Sequence, residues 1–260
     1  MQTLKISVVT VCLNTVDTIV NTIESVLCQT YENIEYVIMD GQSTDGTLEK
    51  IRKYEDSPQV KVISEKDSGL YNAMNKAVDV CSGDYIIFLN SGDVFAGNTV
   101  IANAVVQITK GKNITNQKSD HRSLPDIFYS NVIKIYENGR VVEKYPGKHT
   151  VFKLLMMGKM PCHQGIFAST SVLRQYGFDE SYRICADFDF LLRCVCNHVK
   201  MQYLDVDVSV VDCVLGISSQ NTNLDKMRAE DDRSIRKNYP LMYYLMWIPK
   251  KIVRIKGKRN

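Results

Sequence analysis

The chain of 260 residues is 45% hydrophobic and 23% charged, with 32 Lys and Arg against 29 Asp and Glu. Those proportions exclude disordered, collagen-like and disulfide-framework chains, and the length suits one large α/β domain better than two catalytic ones. Six of the bases (Lys250, Lys251, Arg254, Lys256, Lys258 and Arg259) follow Trp247 with no acid among them, so a slightly acidic body carries a basic tail. This argues against a nucleic-acid-binding body and for one local anionic partner of the tail.

No apolar run reaches the roughly 18 residues of a membrane-spanning helix. Met1 to Lys5 lead straight into a strand pattern without a signal-peptide layout, so the expectation is a cytosolic chain. Ile6 to Val11 is a near-continuous β-branched run, as a central parallel strand requires. Val16, Ile19, Val20, Ile23, Val26 and Leu27 then fall on one helical face. A second strand, Ile34 to Met39, ends at Asp40, and a polar loop leads to a helix carrying Leu48, Ile51 and Tyr54. A third strand (Val60 to Ser64), a helix from Gly69 to Val80 and a fully apolar fourth strand (Tyr85 to Leu89) complete the first hundred residues. Strands alternating with helices at this spacing predict a parallel sheet, whose ligands bind at the carboxyl ends of the strands.

The second half is more mixed. Ile127 to Tyr136 and Arg140 to Tyr145, joined around Asn138-Gly139, read as a hairpin, and residues 109–124 as a polar surface loop. A loop from Pro161 to Gly165 precedes a short strand (Ile166 to Ser169) and a helix ending at Gly177. Ala186 to Cys196 reads as helical, Lys200 to Cys213 as extended, and Thr222 to Lys237 as a charged helix. Eight cysteines (12, 28, 81, 162, 185, 194, 196 and 213) lie without a repeated CxxC spacing. Cys194, Cys196 and His198 lack a second ligand pair at zinc-site spacing, so buried, reduced thiols are expected.

Three acidic clusters bear on function. Asp40 to Thr47 ends as the phosphatase pattern D-x-D-G-T does, but Ser43 stands where the nucleophilic aspartate belongs. Gln42 and Thr44 likewise defeat a calcium loop. Thr44 or Asp45 can cap the following helix, whereas Asp40, at a strand end, can accept a hydrogen bond from a nucleobase imide. In the second cluster, Asn90-Ser91-Gly92-Asp93, an acid beside Gly after a buried strand suits a divalent cation held against a diphosphate. The same four residues also suit a plain turn. In the third, Asp187 and Asp189 open an apolar helix; one complements the helix dipole and the other could serve as a general base.

Together these segments resemble glycosyltransferase family 2, inverting transferases of the GT-A fold, over about residues 4–220. The resemblance rests on Ser7 to Val11, Gln29-Thr30-Tyr31, Asp40 to Thr47, Ser64 to Lys76, Gly83-Asp84-Tyr85, Phe88 to Asp93, Pro161 to Gly165 and Ala186 to Asp189 followed by Leu192-Arg193. The match looks most like transferases that build bacterial surface polysaccharides. It implies an α/β GT-A fold: a mainly parallel central sheet with flanking helices, a nucleotide-sugar half (1–97), an acceptor half (98–220) and a C-terminal helical, basic extension (221–260). Asp40 would contact the base of a nucleoside-diphosphate sugar, a UDP-sugar, aided by backbone groups of Val11 and Leu13. Asp67, Asn75 and Asn90 would line the same donor pocket. Asp93 matches the last acid of the family's D-x-D-D stretch and would bind Mn²⁺ or Mg²⁺. Asn90 and Gly92 replace the two earlier acids, which leaves one carboxylate plus the diphosphate to hold the metal. Asp187 matches the general base. Asp189 would sit behind it or on the acceptor side, and His163 and Gln164 match an acceptor-loop motif.

The tail bears on the acceptor. Tyr239 to Ile248, rich in Leu, Met, Tyr and Trp, is too short to span a bilayer but suited to its interface. The six bases beyond it would attract anionic lipid, which points to peripheral docking on the inner leaflet and a lipid-linked saccharide acceptor. The competing reading packs this segment on the catalytic domain or on a homodimer mate. Two other functional classes stand beside the transferase. A sugar-nucleotide pyrophosphorylase wants a Gly-rich, basic phosphate loop after the first strand, which Cys12 to Val16 does not supply. A catalytically silent nucleotide-sugar-binding module would explain the missing acids at 90 and 92, but not the presence of Asp40, Asp93 and Asp187.

Overall fold

A strand covered on both faces by helices has no solvent side, so it reads as unbroken apolar sequence. The run Ile6–Cys12 is such a strand: in the computed structural model, which describes residues 3–110, 124–136, 141–156, 159–212 and 223–244, all seven of its residues are buried. This strand, β1, pairs in parallel with β2 (Ile34–Asp40) and with β4 (Tyr85–Phe88), and β2 pairs in parallel with the edge strand β3 (Val60–Ser64). The connections are helices α1 (Ile19–Leu27), α2 (Thr47–Arg52) and α3 (Leu70–Val80). Helix α2 stops short of Tyr54, which sits in the turn that follows.

Strand alternation distributes the side chains. Val9, Val11, Val37, Met39, Ile86 and Phe88 join Met74 and Ala77 of α3 in one core. Ile6, Val8, Tyr36, Ile38 and Ile87 join Ile19, Ile23 and Val26 of α1 in the other. The result is a sheet between two helical layers. Thr10 lies at 0% exposure within it and is satisfied there: its hydroxyl donates to the Leu89 carbonyl at 2.7 Å and meets the Tyr36 hydroxyl at 2.9 Å.

Beyond β4 the sheet is mixed rather than parallel. Short strand β5 (Val94–Phe95) and helix α4 (Val100–Thr109) are followed by β6 (Ile127–Ile135) and β7 (Val141–Tyr145), which pair antiparallel. The Asn138-Gly139 turn that would join them lies outside the described residues. After α5 (Val151–Met156) and a 3-10 turn at His163–Gly165, β8 (Ile166–Ser169) inserts antiparallel between β4 and β6. Helix α6 (Thr170–Tyr176) and helix α7 (Ala186–Cys196) lead to β9 (Met201–Asp212), parallel to β6. Among the described residues the strands form one nine-stranded sheet, ordered β3-β2-β1-β4-β8-β6-β9-β5 with β7 paired to β6. The switch to antiparallel pairing at β4–β8 brings the His163–Gly165 turn to the carboxyl end of β4.

The cysteines divide by environment. Cys12, Cys81, Cys185 and Cys194 are buried, Cys162 and Cys196 are half-buried, and Cys28 is exposed rather than buried; Cys213 lies outside the described residues. Burial raises the Cys81 and Cys194 thiols to about 12, so both stay protonated.

The charged helix α8 (Leu224–Asn238) lies against α7 and is followed by α9 (Pro240–Met242). Their seam is polar and built around Asp189, which has 0% exposure. Asp189 accepts from Arg193 Nε at 2.6 Å, and from the Ser234 hydroxyl and the Asn238 amide, each at 2.9 Å. Arg193 also donates to the Tyr176 and Gly177 carbonyls, so one buried pair joins α6, α7 and α8. Removing one partner of such a pair strands the other. Asp189→Ala is expected to lose about 3–5 kcal/mol in urea unfolding, and a loss below about 1 kcal/mol would show that the pair does not hold the seam.

Candidate functional site

The carboxyl ends of β1 and β2 carry the first group of acids. Asp40, the last residue of β2, is 1% exposed and accepts from the Ser43 amide and from the Ser64 hydroxyl at 2.7 Å. Asp67 accepts from the Gly69 amide at 2.9 Å, and its other oxygen lies over Gly41. A Cβ on Gly41 would stand only 2.6 Å from that oxygen, so glycine is what lets Asp67 reach the strand end. Burial pushes the neighbouring Cys12 thiol up to about 12, and the Asp40, Asp45 and Asp67 charges add to it. Three carboxylates therefore converge here. Val11 is buried, whereas Leu13 is 53% exposed beside Gly41. Asp45 acts as the cap: one oxygen accepts from the amide and hydroxyl of Thr47, the other from the Val16 amide.

Asn75 occupies a different position. Its amide nitrogen donates to the Phe178 carbonyl and to Glu180, and its oxygen accepts from the Phe178 amide. It thereby ties α3 to the 178–180 loop.

The turn after β4 carries the second group. Gly92 has φ +99°, a left-handed conformation that an aspartate adopts only with strain, which explains why no acid stands there. Asp93 is 6% exposed and accepts from the Gln164 side chain at 2.8 Å. The Asn90 amide nitrogen meets His163 Nε2 at 2.9 Å, while its buried Oδ1 has no hydrogen-bond partner among the described residues.

His163 continues the chain, its Nδ1 lying 3.2 Å from Asp187 Oδ2. With Asn90 donating to Nε2, Nδ1 carries the proton and donates to Asp187. The other Asp187 oxygen accepts from the Phe188 amide at 2.9 Å and lies 3.3 Å from the Tyr71 hydroxyl. Asp187 thus sits in the first turn of α7, held by donors from α3, α7 and the 3-10 turn. Behind it is a small apolar cavity of about 20 Å³, lined by Phe88, Ile166, Phe178, Phe190, His163 and Asp187 among others. Asp189, on the same turn, faces the α8 seam, so any effect it has on an acceptor passes through α7.

One polar chain thus joins Asn90, His163 and Asp187, and Gln164 binds Asp93 from the same turn. The segment from Asp67 to Tyr71 connects the two groups of acids, reaching Gly41 at one end and Asp187 at the other. Tyr71 and the α8 acids Glu230 and Asp231 have no counterpart in the sequence reading. Tyr71 lies in the Ser64–Lys76 motif, which was a usable signal; a charged helix signals only a solvated face.

The family model for glycosyl transferase family 2 matches residues 7–176. A PGL/p-HBAD biosynthesis glycosyltransferase of Mycobacterium tuberculosis is 29% identical over 224 residues, 85% of this chain and 80% of that protein. The UDP-Glc:alpha-D-GlcNAc-diphosphoundecaprenol beta-1,3-glucosyltransferase WfaP of Escherichia coli is 39% identical over 100 residues, 38% of this chain and 39% of WfaP. Among solved structures, S. aureus TarS 1-349 in complex with UDP-GlcNAc superposes with a TM-score of 0.68 at 19% identity, covering 90% of this chain and 67% of that one. The mannosyltransferase PcManGT from Pyrobaculum calidifontis, in complex with GDP-Man and Mn²⁺, gives 0.63 at 16%, covering 91% and 64%. At these identities the structural likeness is one of fold, and the chain spans about two thirds of each neighbour.

Asp231 of α8 stands beside Asp187 and hydrogen-bonds Cys185. Burial, then the Asp187, Asp232 and Glu230 charges, raise its carboxyl from 3.8 to about 7, against the lowering effect of the Cys185 bond. Between those two pH values the folded chain keeps a proton that the unfolded chain has released, so stability falls as pH rises from about 4 to about 7. Asp231→Asn removes that titration. In urea unfolding at pH 5 and pH 8, the variant is expected to gain on the wild type at the higher pH; an equal difference at both would place Asp231 in water.

Proposed function

The chain belongs to glycosyltransferase family 2, and from that premise we propose that it transfers a sugar, with inversion, from a UDP-sugar to a hydroxyl of a lipid-linked saccharide acceptor in surface-polysaccharide assembly. The observation that carries this reading is the Asn90–His163–Asp187 chain, which couples the strand-end turn beside Asp93 to a carboxylate held ready as a base. The donor assignment draws on the UDP-sugar in the WfaP name and on the TarS complex, and the lipid-diphosphate acceptor on WfaP alone. Residues 1–97 form the donor half, 98–220 the acceptor half.

Asp40, Asp67 and the backbone at Val11 and Leu13 bind the nucleoside. Asp187 then removes the proton of the acceptor hydroxyl as that oxygen bonds to the anomeric carbon. The bond from the anomeric carbon to the diphosphate oxygen breaks on the opposite face, and its electron pair leaves with the nucleoside diphosphate. His163, through Nδ1–H, keeps Asp187 oriented, and Gln164 does the same for Asp93. A single displacement inverts the configuration.

Among the described residues no group of three or more His, Cys, Asp or Glu is placed to hold a metal. The Asp93 carboxylate and the orphaned Asn90 Oδ1 are hard oxygen ligands on one turn, and they fit an ion such as Mg²⁺ or Mn²⁺ that takes its other ligands from substrate phosphate and water. Bound there, such an ion would neutralise charge on the departing diphosphate.

The tail supplies the membrane contact in this reading. Tyr243 packs into the core while Leu241 and Tyr244 are exposed; Trp247 and the six bases lie outside the described residues. Among the described residues no helix is long and apolar enough to cross a membrane. This reading assigns the docking on anionic lipid to 244–260.

Calorimetry should give UDP binding with Mn²⁺ that is lost in EDTA, and no saturable binding of Mn²⁺ alone. Binding of none among UDP, GDP, CDP and dTDP would refute the donor assignment, and UDP binding without turnover would favour the silent module, for which the absent acids at 90 and 92 speak. Asp187→Asn should lower transfer on the order of 10²–10⁴-fold with unchanged UDP affinity; a fully active variant refutes the base. Truncation after Tyr244 should abolish co-sedimentation with phosphatidylglycerol vesicles, and retained binding would sink the lipid contact.

A further inference from the structure

We propose that Glu230, on the C-terminal helix α8, is a positioning residue for Asp187, acting through the backbone of residues 183–185. The inference rests on the reading of Asp187 as the base. Helix α7 begins at Ala186, and its N-cap residue, Cys185, makes no side-chain cap bond. Glu230 supplies what is missing from outside the helix. Its Oε1 accepts from the Arg183 amide, and its Oε2 from the Ile184 and Cys185 amides, all at 2.9 Å. A carboxylate receiving three backbone N–H groups is a strong, directional anchor.

The opposite side of the same segment is gripped from the donor half. The Tyr71 hydroxyl, on α3, donates to the Ile184 carbonyl at 2.5 Å and lies 3.3 Å from Asp187 Oδ1. The Ile184 residue is therefore held at its N–H by α8 and at its C=O by α3. Asp187 follows three residues later, with its own Oδ1 tied to the Phe188 amide. A shift of the 183–185 backbone would carry Asp187 away from both Tyr71 and His163. Displacement of a reacting group by about 1 Å costs about 10²-fold in rate, so this anchor bears on turnover more than on ground-state binding.

Helix α8 has other ties that do not touch this segment. Lys237 pairs with Asp179 at 3.0 Å, and Ser234 and Asn238 bond Asp189. These give the experiment its control. Glu230→Gln keeps the size of the side chain but can no longer accept three amides through two oxygens; Lys237→Ala loosens α8 without altering 183–185. Two readouts are made on the full chain. The first is the Nδ1 proton and nitrogen signal of His163, identified by its loss in His163→Gln. It reports the bond to Asp187 without any substrate. The second is steady-state turnover with UDP-glucose, UDP-GlcNAc and GDP-mannose as donors, with UDP affinity by calorimetry.

Glu230→Gln is expected to move the His163 signal and to lower kcat on the order of 10-fold or more, with donor KM and UDP affinity unchanged. Lys237→Ala is expected to lower Tm while leaving both readouts as in the wild type. An unaltered His163 signal in Glu230→Gln would overturn the proposal, as would equal kcat losses in the two variants. If the wild type turns over none of the donors, the proposed function fails, and the His163 signal still decides whether Glu230 positions Asp187. Should Glu230→Gln fold poorly, Glu230→Asp serves in its place: partial retention of the signal is expected, and full retention counts against the anchor.

Discussion

The point at which β4 stops governs the rest of the site. Leu89 donates its amide to the Val9 carbonyl, and its own carbonyl accepts the Thr10 hydroxyl, so the strand is closed against β1 at one residue. A buried hydroxyl left without that carbonyl would carry a desolvation cost of about 1–3 kcal/mol, which opposes any slip of the register. The turn from Asn90 to Asp93 must therefore begin there. Asn90 then meets His163, Asp93 meets Gln164, and Asp187 is reached through His163.

Charge at this edge is met by amide, hydroxyl and imidazole donors. Asp40 is held by an amide and a hydroxyl, and Asp187 by an amide, a hydroxyl and an imidazole N–H. In the proposed reaction this arrangement leaves an oxygen of Asp187 to take up a proton while the diphosphate departs. The arginine of the neighbourhood, Arg193, is committed instead to Asp189 and two carbonyls in the α7–α8 seam.

That seam makes α8 part of the catalytic body. The helix has a low apolar content, yet Ser234 and Ile235 are buried in it and Glu230 reaches the loop before α7. Its polar residues do the joining that apolar residues do elsewhere: Glu230 takes the N–H groups before α7, and Ser234 and Asn238 donate to the buried Asp189. The same geometry raises the Asp231 carboxyl, first by burial and then by the surrounding Asp187, Asp232 and Glu230 charges, against the lowering effect of Cys185.

Local pattern was enough for the elements whose signal is periodic. The β-branched run of β1, the amphipathic face of α1, the exact span of β3 and that of α7 all follow from hydrophobic order along the chain, because burial on one or two faces imposes it. The candidate acids were visible too, since a carboxylate at the end of a parallel strand stands at the one edge where loops can form a site. What stood outside the sequence was pairing between distant segments. Nothing local tells β8 to run antiparallel beside β4, or His163 to bridge Asn90 and Asp187 across 73 and 24 residues. Nor does composition distinguish Asp189, buried in a seam, from Asp187 two residues earlier at the site; the helical rotation of about 100° per residue sends them to different neighbours. Sequence alone determined β1 to β4, α1, α3 and α7, because each depends on short-range periodicity, and left β5, α4 and α5 unread. The tertiary structure decided which acid faces the site and what holds it, because hydrogen bonds form between whatever the sheet order brings within 3 Å.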